Sequence, residues 1–74
     1  MGKTTDSLVR ITAAGGGLII DCEGKTIDSL VRIAAATKTK GSKIIMTNLK
    51  GKTTNSLLRI VDAGDGNVIL DVRE

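Results

Sequence analysis

Hydrophobic residues recur along the chain in two spacings, and the two spacings alternate three times. Short apolar runs rich in Ile and Val occupy residues 18–20, 44–46 and 68–70, and turns that contain or lie next to Gly separate them from the preceding segments. Such runs are too short for helices and are typical of strands. The segments before them carry apolar residues at helical spacing. These residues are Leu8, Ile11 and Ala14, then Leu30, Ile33 and Ala36, then Leu57, Ile60 and Ala63. The pattern therefore predicts helix–strand three times.

Each predicted helix begins within a copy of one ten-residue segment. The copies are GKTTDSLVRI at 2–11, GKTIDSLVRI at 24–33 and GKTTNSLLRI at 51–60, with Gly, Lys, Thr, Ser, Leu, Arg and Ile the same in all three. Thr4, Thr26 and Thr53 are well placed as N-caps, because a threonine hydroxyl accepts from a backbone N–H one turn into the helix. Repeated segments predict repeated local structures that stack side by side.

The connections predict the topology. Two strands joined through a helix run parallel, and the crossover is right-handed in nearly all cases. We therefore expect an α/β fold with a three-stranded parallel sheet in the order 1-2-3, helices on one face, and a solenoid-like arrangement. The chain forms a single domain, residues 1–74, of three repeats at 2–23, 24–50 and 51–74. The middle helix meets no early glycine and is expected to be a turn longer.

Alternation within the strands predicts which residues face away from the helices. Ile19, Ile45, Leu49 and Ile69 fall on this open face. Parallel sheets are seldom left bare on one side, so these four residues are the candidate interface. We expect a second copy of the chain to cover them, with a dimer favoured and a different protein partner as the alternative.

Composition favours self-association as well. The 74 residues include no aromatic residue and one cysteine, Cys22. A chain of this size buries only about 60% of its unfolded surface, and here neither a large aromatic side chain nor an internal disulfide adds stability. No apolar stretch approaches the ~20 residues of a membrane-spanning helix, and the N-terminal residues lack a secretory pattern. We expect a cytoplasmic protein with no membrane partner.

The charge distribution supports an alternative function. Residues 24–50 contain six Lys and Arg and one Asp, a net charge of +5, whereas residues 2–23 and 51–74 each carry −1. The candidate anion-binding residues are Lys25 and Lys52, which precede helix N-termini, and Lys38, Lys40 and Lys43, which lie in a polar connection. The alternative is binding of an anion or a nucleic-acid backbone. Without aromatic residues, stacking on single-stranded bases is excluded.

The repeated Gly-Lys-Thr does not predict a nucleotide-hydrolysing loop. That motif needs a glycine five residues before the Gly-Lys pair, where this chain has Ile19 and Met46. We interpret the glycine as the strand-to-helix turn and the threonine as the cap.

Three arginines share one position in the copies. Arg10, Arg32 and Arg59 follow Asp6, Asp28 and Asn55 by four residues. This spacing predicts pairs within each helix, worth about 0.2–0.5 kcal/mol where both charges are present. Local pairing explains the arginines without a ligand.

No catalytic set is apparent in the sequence. There is no histidine, so neither a Cys/His nor a Ser/His/Asp arrangement can be written. Asp21 and Asp71 fall on strands 1 and 3 with Thr47 between them, about 10 Å apart by strand spacing. We expect no catalytic residue, no metal site and no cofactor, and Cys22 as a small buried hydrophobic residue.

A strand followed by Cys22 or Asn48 and then a helix resembles the leucine-rich repeat, as do units of 22, 27 and 24 residues. The Leu-x-x-Leu-x-Leu spacing of that family is absent, and the strongest repetition lies in the helix. The resemblance implies only a similar stacking of helix–strand units. The near-identical copies also allow a third interpretation, a designed or reconstructed repeat protein without a cellular task, although unequal units and a free cysteine depart from an idealised design.

Overall fold

A computed structural model describes residues 4–72 of the chain. Three helices alternate with three strands, as predicted. They are α1 (Thr5–Ala13), β1 (Leu18–Asp21), α2 (Ile27–Lys40), β2 (Ile44–Thr47), α3 (Thr54–Gly64) and β3 (Val68–Leu70). We call each helix with the strand after it a unit. The outer limits of the predicted domain, residues 1 and 74, lie outside the described residues.

All three predicted N-caps are confirmed. The hydroxyls of Thr4, Thr26 and Thr53 each accept from the backbone N–H three residues on, over 3.2 Å. The same hydroxyls donate to the side chain of that residue, which is Ser7, Ser29 or Ser56. The serine found in every copy therefore completes the cap, a role that the sequence reasoning did not assign.

The helices end in different ways. α2 has 14 residues against 9 in α1, so the middle helix is longer, as predicted. It stops at Gly41, whose φ of 71° belongs to the left-handed region that glycine adopts without strain. In α3 the left-handed cap is Asp65, one residue beyond Gly64.

The sheet is parallel throughout, with order β1-β2-β3. Its register places Ile19 opposite Ile45 and Ile45 opposite Ile69, as predicted. The helices lie side by side on one face, α2 in contact with both α1 and α3. The core between the layers consists mainly of buried aliphatic side chains from both, including Leu30, Ile33, Ile60, Ile20, Ile44 and Met46.

Two buried hydroxyls of the middle unit contact backbone carbonyls of the outer helices. Ser42 Oγ donates to the Thr12 carbonyl over 2.7 Å, and Thr37 Oγ1 lies 3.3 Å from the Gly64 carbonyl. Both carbonyls belong to the last turn of a helix, and each also accepts a backbone N–H from just beyond that helix, from Gly15 at Thr12 and from Asn67 at Gly64. The single hydroxyl proton of Thr37 has a closer acceptor in the Ala34 carbonyl of α2, at 2.6 Å, so the contact with Gly64 is the weaker of the two. These polar residues therefore connect all three units.

Candidate functional site

The open face of the sheet carries a row of isoleucines. Ile19 is 75% exposed and Ile69 is 54% exposed, while Ile45 between them is half-buried. Beside the row, a shallow depression of about 330 Å³ is lined by Ile45, Ile69, Leu70, Asp71 and Val72. Three aligned aliphatic side chains on one uncovered sheet face form a continuous apolar strip across the molecule. We call this strip the open-face row.

Leu49 does not belong to the open-face row. It is only 5% exposed and is part of the core, so the expectation that it lies on the open face is wrong. The cause is Asn48, whose φ of 57° is left-handed and interrupts the strand alternation directly after β2. Leu49 then turns inward and occupies the position that Cys22 has in the first unit. The backbone hydrogen bonds are equivalent too, because the Cys22 carbonyl accepts from the Lys25 N–H and the Leu49 carbonyl accepts from the Lys52 N–H.

Asn48 also links the carboxyl ends of β1 and β2. Its side-chain amide donates to Asp21 Oδ1 over 2.9 Å, and the backbone N–H of Glu23 donates to the same oxygen over 2.9 Å. The Glu23 N–H, followed by the Asn48 amide and the charge of Lys25, lowers the pKa of the Asp21 carboxyl below its usual 3.8. Asp21 thus favours its charged form and serves as an acceptor that fixes the loop.

A cleft of about 430 Å³ opens at the carboxyl ends of β2 and β3. Lys50, Lys52, Leu57 and Asp71 are among its lining residues. The cleft therefore has two lysines and one aspartate along its wall. Thr47 also borders it and separates Asp71 from Asp21 in the sheet, as expected. Its Oγ1 donates to the Ile20 carbonyl over 3.2 Å. This arrangement includes no second carboxylate beside Asp71 among the lining residues.

The five candidate anion-binding lysines are divided between opposite ends of the molecule. Lys25 and Lys52 precede α2 and α3, at the carboxyl ends of the strands. Their backbone N–H groups are engaged in turns, donating to the Cys22 and Leu49 carbonyls over 3.1 Å. The Thr26 and Thr53 caps engage a further N–H of each helix.

The other three lysines lie near the amino ends of the strands. Lys38 and Lys40 belong to the last turn of α2 and not to a loop, and cations are favoured at a helix C-terminus by its dipole. Lys43 Nζ donates to Asn67 Oδ1 over 2.8 Å. The structure therefore separates this group from Lys25 and Lys52 by the length of a 14-residue helix, about 21 Å.

The predicted arginine pairs within each helix are wrong. Arg32 donates to Asp6 over 2.9 Å and Arg59 contacts Asp28 at 3.3 Å, so each arginine pairs with the preceding helix. The units stack in phase, and this places the arginine of one helix beside the aspartate of its neighbour. The pairs are exposed, so each contributes about 0–1 kcal/mol to stability.

Cys22 is fully buried, as expected, and is a free thiol. Burial raises the pKa of the Cys22 thiol, and the nearby charges of Lys52 and Lys25 offset this only in part. Among residues 4–72, no group of three or more His, Cys, Asp or Glu side chains is arranged to hold a metal ion. Over the same residues, no helix combines the length and apolar character needed to cross a membrane.

Comparisons of the chain with protein-family models, with curated proteins and with solved structures find no match.

Proposed function

We propose that this protein is a non-enzymatic, solenoid-like α/β repeat module that self-associates, with the open-face row as its contact surface. The observation that carries the proposal is the exposure of Ile19 and Ile69 on a parallel sheet covered by helices on one side only. A continuous apolar strip in water favours association, because contact removes its surface from solvent.

The small size of the core supports the same proposal. The largest fully buried side chains are aliphatic and include Leu30, Ile33, Ile44, Met46 and Ile60. A 74-residue chain with such a core has a small margin of stability. Binding of the folded state to a second copy increases that margin by mass action.

A cytoplasmic location belongs to the same proposal. Cys22 is buried and unpaired, and its raised pKa keeps the thiol protonated and slow to oxidise. An oxidising compartment would add no disulfide to the fold, because Cys22 has no second cysteine to pair with. A reducing compartment suits a protein of this type.

The test is the weight-average mass measured by analytical ultracentrifugation at micromolar concentration. We expect the unmodified chain to exceed the 7.7 kDa of one copy. Ile19→Lys places a charge in the open-face row without disturbing the core, so the mass should fall. A chain that stays at the mass of one copy throughout the micromolar range contradicts the proposal.

The matched control is Ala35→Lys, which adds the same charge at an exposed position of α2. Circular dichroism of both variants establishes that the fold is retained. If the two substitutions lower the mass equally, general charge repulsion explains the loss, and the open-face row is not the contact surface.

A further inference from the structure

Equivalent residues of the three helices show what a neighbouring unit covers. Ile11, Ile33 and Ile60 occupy the same position in the three copies. Ile33 and Ile60 are completely buried, and each belongs to a helix that packs on a preceding helix. Ile11 of α1 has no preceding helix in the described chain and is 38% exposed. The difference marks the side of α1 on which a unit could stack.

Arg10 gives independent evidence for the same side of α1. Its counterparts Arg32 and Arg59 each contact an aspartate of the preceding helix. Arg10 makes no side-chain hydrogen bond or ion pair with the described residues, and Asp6 in its own helix is bound by Arg32. A cleft of about 400 Å³ lies beside it, lined by Ser7, Arg10, Ile11 and Ala14. We call these four residues the front surface.

The opposite side of the molecule shows the reciprocal difference. Val61 of α3 is 38% exposed, whereas the equivalent residues Thr12 and Ala34 are fully buried. Leu58 is 59% exposed, and its equivalents are half-buried. Asn55 stands where Asp6 and Asp28 accept from the next helix. We call Asn55, Leu58 and Val61 the back surface.

The sheet is open at the same two sides. Within residues 4–72, β1 and β3 are the outer strands and each pairs with β2 alone. An outer strand has one edge of backbone donors and acceptors available for another strand. Each side of the molecule thus combines an apolar helix surface with an open strand edge.

We propose that the front surface of one copy binds the back surface of another, so that copies stack head to tail as the units stack within one chain. The inference rests on the proposed self-association and adds a second contact surface to it. The occupant is a second copy, because the back surface offers what α2 offers α3: apolar residues for Ile11 and, at Asn55, an amide oxygen for Arg10. This contact joins two different surfaces, so a pair of copies leaves one front surface and one back surface free, and further copies can add to it.

Complementation between two blocked variants tests the proposal. Both carry Ile19→Lys, which removes the open-face contact. One also carries Ala14→Lys on the front surface, and the other carries Leu58→Lys on the back surface; both residues are exposed, so folding is retained. Each variant alone should sediment as one copy. An equimolar mixture retains one intact front and one intact back, so it should form a pair of twice that mass and stop there.

A mixture that sediments as single copies overturns the head-to-tail contact. If the Ile19→Lys substitution alone already reduces the chain to single copies, the proposed function stands and this inference fails. If the unmodified chain never exceeds one copy, both fail. Ala35→Lys in place of Ala14→Lys is the control, and it should leave head-to-tail stacking intact.

Asn55→Asp provides a test by gain of affinity. It restores the aspartate that Arg10 would meet in the next copy. In the Ile19→Lys background we expect up to about fivefold tighter association, lost again in high salt or with Arg10→Gln. Unchanged or weaker association at low salt would overturn the assigned register of the two helices.

Discussion

The Arg32 guanidinium donates to the Asp6 carboxylate over 2.9 Å and so ties α2 to α1 across 26 residues of sequence. Arg59 repeats the contact with Asp28 of α2. Arg10, four residues after Asp6 on the same helix, makes no such contact with the described residues. The ion pairs of the copied segment therefore form between neighbouring helices and not within one helix.

A double-mutant cycle on Asp6→Asn and Arg32→Gln should give a coupling energy of about 0.2–1 kcal/mol at low salt. The attraction between exposed charges is modest and screened, so the coupling should shrink in high salt. Urea unfolding supplies the free energies. The matched cycle on Asp6 and Arg10 should give none, and a larger coupling there than for Asp6 and Arg32 would contradict the pairing between helices.

Leu49→Ala should destabilise the protein by about 2–5 kcal/mol, because it removes a buried side chain and leaves a cavity. Urea unfolding of the dilute protein measures the loss. Val72→Ala, an exposed aliphatic truncation, is the control and should change stability by no more than about 0.5 kcal/mol. Similar small losses for both would place Leu49 back on the surface.

Gly64→Ala should destabilise the protein by up to about 2 kcal/mol. A Cβ at this position overlaps Val68 Cγ2, and the cost of such overpacking exceeds the gain of about 1 kcal/mol from helix propensity. Gly17→Ala is the control, since its Cβ would lie at an ordinary 3.5 Å from the Lys43 carbonyl. Thermal unfolding of the two variants should therefore show a lowered midpoint for Gly64→Ala alone.

Acid should weaken the protein partly through Asp21. Its folded-state pKa is lowered, so it contributes stability above the unfolded value of about 3.8 and loses it as the pH falls through the folded value. The stability difference between the unmodified chain and Asp21→Asn should thus diminish below pH of about 4. Urea unfolding from neutral to acid pH measures this difference.

Asn48→Gly separates the two donors to Asp21, because glycine adopts the left-handed φ of 57° at this position without strain. It removes the amide and keeps the Glu23 N–H, the larger cause of the shift. The pKa of Asp21, followed by NMR of its carboxyl carbon, should rise part of the way toward 3.8. An unchanged pKa would show that the Asn48 contact does not form in solution.

The architecture could be predicted because it depends on local signals. Threonine caps, helical spacing and short Ile-rich runs define the elements, and the helix between two strands requires a parallel crossover. The opposition of Ile19, Ile45 and Ile69 followed from equivalent positions in the three runs and is confirmed by the register.

The sequence pattern does not predict a side chain's position or partner where these depend on one backbone angle or on the neighbouring unit. Strict alternation through Asn48 places Leu49 on the open face, but the left-handed φ of Asn48 reverses the side-chain direction and turns Leu49 into the core. The partners of Arg32 and Arg59 depend on the stacking phase of two helices, which spacing within one helix does not contain. Ser42 and Thr37 gave no sequence signal, since small hydroxyl residues are common in connections and at helix ends.

Through Ser42 and Thr37, both outer units depend on contacts with the middle unit. If that unit opens, the Thr12 and Gly64 carbonyls keep the backbone N–H of Gly15 and Asn67 but lose their contacts with the middle unit, and the outer helices lose their common packing partner. Without these contacts, neither outer helix is expected to stay folded. Amide protons in α1 and α3 should consequently exchange with solvent through one concerted opening, and truncation at either side should weaken the whole molecule and not only the nearest unit.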